Sequence, residues 1–367
     1  EEAWRLRRAR AEASPGGAVS GVCFAAGAVV VTCSWDGSLR CIDSVDGWRL
    51  GREMQIGAGP LAAVANCAQR DVVVGCAAMD GTAWLWNMET DELQALRGHE
   101  GAVNDIDFHA AQGSIACTAS DDGRACVWDL PRGEPVRDLR QHLREVTAAR
   151  FLGAGAGSAH ERALATASLD GHVRVWDLRL PTLVSALPCD CDRRLQVDAH
   201  GPVHLLLAAS DIGFVTAWDL RMRRVVQCID LLETAQLSGE LTSLALSPSC
   251  DQLAVGTSEG GLILLDLERP ALALAGDLRG QQVVQDAHGD AIHAMAWGAK
   301  WPEHVHTAPF LACASLDHTW SCWAPVQDKE RGQTFSRAIA GGPSSQDGGG
   351  GAGWLERGLA AGDGAAP

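Results

Sequence analysis

Short apolar runs alternate with polar turns along most of the chain. In the segment TASLDGHVRVWD, residues 166–177, two such runs flank an Asp-Gly pair. An Asp-Gly turn between two apolar runs predicts a β-hairpin. The same pattern recurs seven times, in segments 32–43, 76–87, 118–129, 166–177, 208–219, 255–266 and 313–324.

Further strand-like segments lie on both sides of the hairpins. AVNDIDF and EVTAARF precede two of them, and EPVRDLR and RVVQCID follow two. Each repeat therefore contains four predicted strands, and successive repeats begin 42 to 58 residues apart. Self-similarity at this interval indicates an all-β repeat architecture.

Dipeptides at both ends of the repeats carry a family resemblance. Gly98-His99 precedes Trp128-Asp129, Gln141-His142 precedes Trp176-Asp177, and His288-Gly289 precedes Trp323. Over roughly residues 17–325 the chain resembles the WD-repeat (WD40) β-propeller family. The resemblance implies an all-β fold, a seven-bladed WD40 propeller with four antiparallel strands per blade.

Three segments follow from this expectation: a propeller over residues 17–340, a helical or strand-donating segment over 1–16, and a disordered Gly/Ala-rich tail over 341–367. Ring closure needs an outer strand for the last blade. Either AWRLRRAR near the start or GQTFSRAIAG after Trp323 can supply it, and the second is favoured. The chain opens without methionine, as expected of a fragment of a longer protein.

The resemblance implies a hydrogen-bond relay of Trp, Ser or Thr, His and Asp within a blade. The expected members are Trp128, Thr118, His99 and Asp122 in repeat 3, Trp176, Thr166, His142 and Asp170 in repeat 4, and Trp323, His288 and Asp317 in repeat 7. A relay that gives each donor an acceptor stabilises a blade, so we interpret these residues as structural. Repeats 1, 5 and 6 depart from the pattern at Ile42, Ile212 and Leu265 and are expected to be held by apolar packing alone.

Functional positions are expected where the fold does not dictate the residue, at the tips of the hairpin turns. The residues just before the turns are Trp35, Met79, Asp121, Leu169, Asp211, Ser258 and Leu316. Four large apolar side chains at turn tips predict a partner-binding rim. The alternative is that these tips pack on adjacent blades.

The opposite rim carries two W-D-x-R motifs, with Asp177 and Arg179 in one and Asp219 and Arg221 in the other. They resemble motifs of WD-repeat substrate receptors that dock on the damaged-DNA-binding adaptor of cullin-RING ubiquitin ligases. The resemblance implies that these residues dock on such an adaptor, through bidentate arginine contacts. Pro131 interrupts the pattern after Trp128. A weaker resemblance of EEAWRLRRAR to the last helix of an F-box also leads to ubiquitin ligation.

The net charge of the chain limits the classes of partner that can be expected. With 30 basic and 46 acidic residues, the net charge of −16 argues against nucleic acid as the main partner and against anionic membrane surfaces. No apolar run reaches the length of a membrane span. The 13 scattered cysteines suit reduced thiols in an intracellular protein, cytoplasmic or nuclear. Other proteins or peptides are the expected partners.

No motif supports catalysis or a metal site. GTSEG, residues 256–260, matches the G-x-S-x-G pattern of hydrolases, but it lies at a predicted hairpin tip rather than between a strand and a helix. Cys189 with Cys191 and His304 with His306 lack further ligands at suitable spacing. We therefore expect a non-enzymatic protein-interaction scaffold without cofactors, with the ubiquitin-ligase receptor as the alternative and a propeller hydrolase as a third hypothesis.

Overall fold

Seven antiparallel sheets follow one another along the chain, and the strands of each are consecutive in sequence. The computed structural model describes residues 16–25, 29–43, 49–57, 59–152, 163–180, 183–188, 195–200, 205–220, 224–248, 252–268, 273–274, 282–298, 310–324 and 336–341. The sheets are the blades of a propeller, numbered 1 to 7 in chain order.

Each blade runs from an innermost strand to an outer strand. The innermost strands are β1 (Val19–Ala25), β5 (Leu61–Asn66), β9 (Val103–Phe108), β13 (Val146–Phe151), β17 (Leu195–His200), β21 (Leu241–Leu246) and β26 (Ile292–Gly298). The second strands are β2 (Val29–Ser34), β6 (Val73–Ala78), β10 (Ile115–Ser120), β14 (Ala163–Ser168), β18 (Leu205–Ser210), β22 (Gln252–Thr257) and β27 (Phe310–Ser315).

The third strand and the outer strand complete each sheet. The third strands are β3 (Ser38–Asp43), β7 (Thr82–Asn87), β11 (Ala125–Asp129), β15 (His172–Asp177), β19 (Phe214–Asp219), β23 (Leu262–Glu268) and β28 (Trp320–Ala324). The outer strands are β4 (Arg49–Gln55), β8 (Leu93–Arg97), β12 (Glu134–Leu139), β16 (Leu183–Pro188), β20 (Arg224–Asp230), the pair β24 (Ala273–Leu274) and β25 (Gln282–Val284), and β29 (Ser336–Gly341). One short helix, α1 (Leu231–Ala235), follows β20. The predicted fold class, a seven-bladed WD40 propeller with four antiparallel strands per blade, is confirmed.

The turns between second and third strands follow from their local sequence. The glycine after the turn Asp adopts a positive φ, for example 77° at Gly123 and 76° at Gly171. Glycine accepts this conformation because it has no Cβ. In blade 7 the same position is His318, with a φ of 63°. Blade 7 therefore forms the same turn although His318 carries a Cβ, which disfavours the left-handed region.

The hydrophobic core lies between neighbouring blades. Trp128 packs with Leu96, Ile106 and other side chains of blades 2 and 3, and Trp176 packs between blades 3 and 4. Leu265 occupies the corresponding position between blades 5 and 6. Ten described cysteines are unpaired, and all but Cys228 are buried. The nine buried cysteines serve as small apolar residues in these interfaces.

The ring closes between blades 7 and 1. The innermost strands β26 and β1 pack together, and the rings of Phe24 and Phe310 meet edge to face at 4.6 Å. The outer strand of blade 7 is β29, which pairs with β28. Every blade is therefore built from one continuous segment, and side-chain packing between blades joins the last to the first.

Candidate functional site

The hairpin tips predicted to bind partners lie beside the entrance to the propeller axis. The backbone N–H of Trp35 donates to the Ala18 carbonyl, and that of Met79 donates to the Pro60 carbonyl. Equivalent hydrogen bonds hold the tips of blades 3, 4, 6 and 7 against the residue that precedes each innermost strand. We call these tips and entering segments the upper rim.

Exposure differs among the predicted rim residues. Trp35 and Met79 are 41% and 45% exposed, and Asp121 is also exposed. Leu169, Asp211, Ser258 and Leu316 are half-buried. The packing alternative therefore fits Leu169 and Leu316 better than it fits Trp35 and Met79.

Three exposed apolar residues of the upper rim were not among the predicted set. Leu143, which follows the relay residue His142, is 87% exposed. Ile212 is exposed at the tip of blade 5, and Phe214 is exposed where β19 begins, next to that tip. In the sequence, Ile212 stands out as a missing turn aspartate, and an isoleucine at a turn tip is itself a signal for a binding surface.

The relay residues of blade 3 come together as a chain of hydrogen bonds. The Trp128 indole N–H donates to Thr118 Oγ1 at 2.8 Å, and Thr118 Oγ1 lies 2.7 Å from His99 Nε2. His99 Nδ1 lies 2.8 Å from Asp122 Oδ2. A neutral imidazole with its proton on Nδ1 gives every donor an acceptor. Burial lowers the pKa of His99, which favours this neutral form.

Blade 4 repeats the arrangement and adds a cation. Trp176 donates to Thr166 at 2.9 Å, and His142 bridges Thr166 and Asp170. The Arg174 guanidinium contacts both His142 Nδ1 and Asp170 Oδ2. Burial, followed by the Arg174 charge, lowers the pKa of His142 to about 4. The imidazole is therefore neutral and unsuited to act as a general acid near pH 7.

In blade 7 the relay contains a hydroxyl that the sequence comparison missed. Ser321 Oγ accepts the Trp323 indole N–H at 2.8 Å and lies 2.6 Å from His288 Nε2. His288 Nδ1 lies 3.2 Å from Asp317. In the other two relays the hydroxyl is on the second strand, whereas Ser321 is on the third strand, two residues before the tryptophan. Residues two apart on a strand share a face, and this spacing was the available signal.

The expectation that repeat 1 is held by apolar packing alone is wrong. Arg40 Nη2 lies 3.0 Å from Asp36 Oδ2 and 2.9 Å from Glu53 Oε1. Asp36 also accepts the Ser38 N–H at 2.9 Å. A buried arginine needs such acceptors, and the register of β3 with β4 places Glu53 opposite Arg40.

Of the predicted adaptor-docking residues, Asp177 and Arg179 lie at the lower rim, where the turns join third strands to outer strands. Arg179, 60% exposed in its side chain, forms a bidentate ion pair with Asp177, with Nη2 to Oδ2 at 2.6 Å. Asp177 also accepts the Arg179 backbone N–H at 2.9 Å, so it caps its own turn. Asp219 ends β19 in blade 5, and Arg221 lies outside the described residues.

A contact between blades recurs at this lower rim. Arg52 donates to the Met88 carbonyl, Gln94 to the Leu130 carbonyl at 2.8 Å, and Arg137 to the Leu178 carbonyl at 3.1 Å. Each donor is on an outer strand, and each acceptor is the second residue after the tryptophan position of the next blade. The turn that carries Arg179 is thus held from two sides, by Asp177 and by Arg137.

The serine of the GTSEG motif lies in a strand-turn-strand context. Residues 258–261 join β22 to β23, and Ser258 Oγ accepts the Glu240 N–H at 2.9 Å. The strand-to-helix turn that exposes a hydrolase nucleophile is therefore not formed at this serine.

Within the described ranges, no three His, Cys, Asp or Glu side chains are grouped to hold a metal ion. The candidate ligands Cys189, Cys191, His304 and His306 fall outside those ranges. No helix in the described part of the chain has the length and apolarity required to cross a membrane.

Innermost strands line the axial channel below the upper rim. Asp105 and Asp107 project from β9 toward β13, where they accept the backbone N–H groups of Ala149 at 3.0 Å and Phe151 at 2.8 Å. Asp105 also pairs with Arg150. Burial raises the pKa of Asp107 to about 6, although the Arg150 charge acts in the opposite direction. Two carboxylates thus face one arginine between blades 3 and 4.

Comparisons with known proteins agree with this architecture. The model "WD domain, G-beta repeat" matches residues 90–129 and 133–177, and "Nucleolar protein 10-like, N-terminal domain" matches residues 182–299. The nuclear distribution protein PAC1 of Arthroderma benhamiae is 26% identical over 271 residues, which cover 70% of this chain and 57% of that protein.

Two further relatives cover shorter segments. WD repeat-containing protein 37 of Mus musculus is 42% identical over 77 residues, 20% of this chain and 15% of that protein. The guanine nucleotide-binding protein subunit beta of Saccharomyces cerevisiae is 24% identical over 202 residues, 52% of this chain and 46% of that protein. With its seven blades and these matches, the chain is a seven-bladed β-propeller that contains WD repeats.

Proposed function

We propose that this chain is a non-enzymatic scaffold that binds partner proteins through the upper rim. Its fold and its WD-repeat relatives support a protein-interaction scaffold. The observation that carries the assignment to the upper rim is a set of exposed large apolar side chains around the axis entrance: Trp35, Met79, Leu143, Ile212 and Phe214.

These side chains are not needed to form the turns that carry them. The backbone N–H groups of Trp35 and Met79 already hold their tips, and the Asp36 and Asp80 carboxylates accept N–H groups within the turns. An exposed indole or thioether contributes little to folding but can contribute strongly to an interface when a partner covers it. Partner binding accounts for these residues better than folding does.

Affinity purification tests the proposal. Wild type and Trp35→Ala plus Met79→Ala are immobilised, and captured proteins are quantified by mass spectrometry. Val136→Ala is the matched control, because Val136 is an exposed apolar residue on the outer strand β12. We expect specific partners to be lost with the double variant and kept with the control. Unchanged capture by the double variant would exclude this part of the rim.

Docking on a cullin-RING adaptor is the second candidate function. It is favoured by Arg179, whose exposed guanidinium is held in one orientation by Asp177. Co-purification of the adaptor tests this function. The wild type is compared with Arg179→Ala plus Arg221→Ala, and Arg132→Ala is the control because it removes another lower-rim arginine. Equal adaptor recovery from wild type and the double variant would exclude this function.

The place of action proposed for the chain is the nucleus or the cytoplasm. The names of its relatives, a nuclear distribution protein and a nucleolar protein 10-like domain, support this proposal. Fluorescence microscopy of the tagged chain tests it.

A further inference from the structure

We infer that the upper rim binds a partner segment in which lysine or arginine residues are interspersed with large apolar residues. The inference rests on the proposed function and specifies the chemistry of the partner. It combines the apolar side chains of the upper rim with the charge of the segments that carry them.

Carboxylates dominate the upper rim. Apart from the aspartates of the turn and relay networks of blades 1, 3, 4 and 7, the acidic residues on its described segments include Asp80, Glu100, Asp121, Glu145, Asp211, Glu240, Glu259 and Asp290. Six of these are exposed, while Glu145 and Asp211 are half-buried. On the same described segments, the cationic residues are Arg124, Arg140 and Arg144, and Arg140 pairs with Asp138 of β12 at 2.5 Å.

The few cations nearby do not balance this charge. Arg144 lies 3.6 Å from Glu145 and also donates to the Leu169 carbonyl. Glu100 lies 3.4 Å from Arg124, but Arg124 is buried and also pairs with Asp122 at 2.9 Å. An excess of negative charge therefore faces any molecule that approaches the axis entrance.

Apolar and acidic residues are close neighbours on this surface. Met79 precedes Asp80, Ile212 follows Asp211, and Leu143 is two residues from Glu145. A partner that covers the apolar side chains must place groups next to these carboxylates. Cationic side chains satisfy both requirements, whereas acidic segments, nucleic acids and anionic lipids are repelled.

The apolar residues form two groups. Trp35 and Met79 belong to blades 1 and 2, and Leu143, Ile212 and Phe214 belong to blades 4 and 5. Blade 3, with the exposed Asp121 at its tip, lies between them. A segment that contacts both groups therefore passes the acidic residues of blade 3 on its way.

Binding of a synthetic probe to the full chain tests the inference. The probe is a fluorescein-labelled 16-residue peptide of repeated Trp-Lys-Leu-Lys, followed by fluorescence anisotropy at 50 mM and 300 mM NaCl. Two comparison peptides replace every Lys by Glu, or every Trp and Leu by Ser. We expect the basic apolar peptide to bind at least tenfold more tightly than either, and more weakly at the higher salt concentration.

Charge reversal locates the contact. Glu100→Lys plus Glu240→Lys is expected to weaken peptide binding at least tenfold. The control, Glu89→Lys plus Glu134→Lys, makes the same change in net charge at exposed positions away from the upper rim and is expected to change binding less than twofold. Equal losses in both variants would mean nonspecific attraction to the acidic chain and would overturn the inference.

The outcome is separable from that of the proposed function. If Trp35→Ala plus Met79→Ala loses captured partners but the basic apolar peptide fails to bind wild type, the rim is a binding surface and the inferred partner chemistry is wrong. If the peptide binds wild type and Trp35→Ala does not weaken that binding, the inference that apolar rim residues contact the partner segment is wrong.

Discussion

His142 Nδ1 and Asp170 Oδ2 lie 3.1 Å apart in blade 4, yet the pKa of the imidazole is lowered to about 4. A carboxylate alone would raise it, but burial and the Arg174 guanidinium outweigh the carboxylate. The pair is therefore a neutral imidazole beside a carboxylate that Arg174 also binds.

This relationship predicts a loss of stability in acid. Because the folded-state pKa lies below the unfolded value near 6.5, the unfolded state binds the proton more tightly, and stability present above pH 6.5 is lost as the pH falls toward 4. The loss from this one residue amounts to at most about 3 kcal/mol. Urea unfolding of wild type and His142→Gln between pH 7.5 and 4.5 measures it. The variant is expected to be less stable at pH 7.5 and to show a shallower slope; an equally steep slope would contradict the assignment.

Asp107 is predicted to have the opposite effect on the pH dependence of stability. Its pKa is raised to about 6, so the folded state favours the protonated acid, and the stability gained from it below pH 3.9 is lost as the pH rises through 6. Asp107→Asn keeps an acceptor for the Phe151 N–H and removes the charge. We expect the unfolding free energy at pH 7.5 to rise by about 1 to 3 kcal/mol. Asp105→Asn is the control, and it should destabilise the chain because it breaks the ion pair with Arg150.

Ser321→Ala tests the relay of blade 7. The change removes the acceptor of the Trp323 indole N–H and the partner of His288 Nε2, both of which are buried. Each stranded polar group costs about 1 to 3 kcal/mol, so thermal unfolding should occur at a clearly lower temperature. Ser321→Thr keeps the hydroxyl and should retain more stability. If Ser321→Ala left the unfolding temperature unchanged, the relay would contribute nothing to the stability of this blade.

His318 offers a stabilising substitution. Its φ of 63° is disfavoured for a residue with a Cβ, whereas the aligned positions of blades 3 and 4 are glycine. His318→Gly should raise the unfolding free energy by up to about 1 kcal/mol. Gly171→Ala, with a φ of 76°, is the reverse experiment and should lower it by a similar amount. Calorimetry of the two variants compares them directly.

Rim and relay residues should respond differently to substitution. Trp35→Ala is expected to change the unfolding free energy by less than about 0.5 kcal/mol while it weakens partner binding. Asp170→Ala strands the Leu143 N–H, the His142 imidazole and Arg174, so it should lower stability by several kcal/mol. Parallel measurements of partner binding and thermal unfolding separate the two roles. A large loss of stability in Trp35→Ala would indicate that Trp35 packs on an adjacent blade.

Several features could be predicted from the sequence because each depends on neighbours along the chain. The hairpins follow from apolar runs on either side of Asp-Gly, and the relay positions follow from matching segments such as those that end in Trp128 and Trp176. The same approach missed Ser321, because the matching position on the second strand is Cys313 and the hydroxyl comes from another strand.

The sequence by itself determined the number of repeats, the order of strands and the residue types that satisfy polar groups inside a blade, since these depend on local spacing and on donor and acceptor chemistry. The tertiary structure decided which turn tips remain exposed, that Arg150 faces both Asp105 and Asp107, and that Arg137 holds the Leu178 carbonyl of the next blade. These contacts join residues about 40 positions apart. Their formation depends on how one blade is placed against the next, which packing of the whole ring determines.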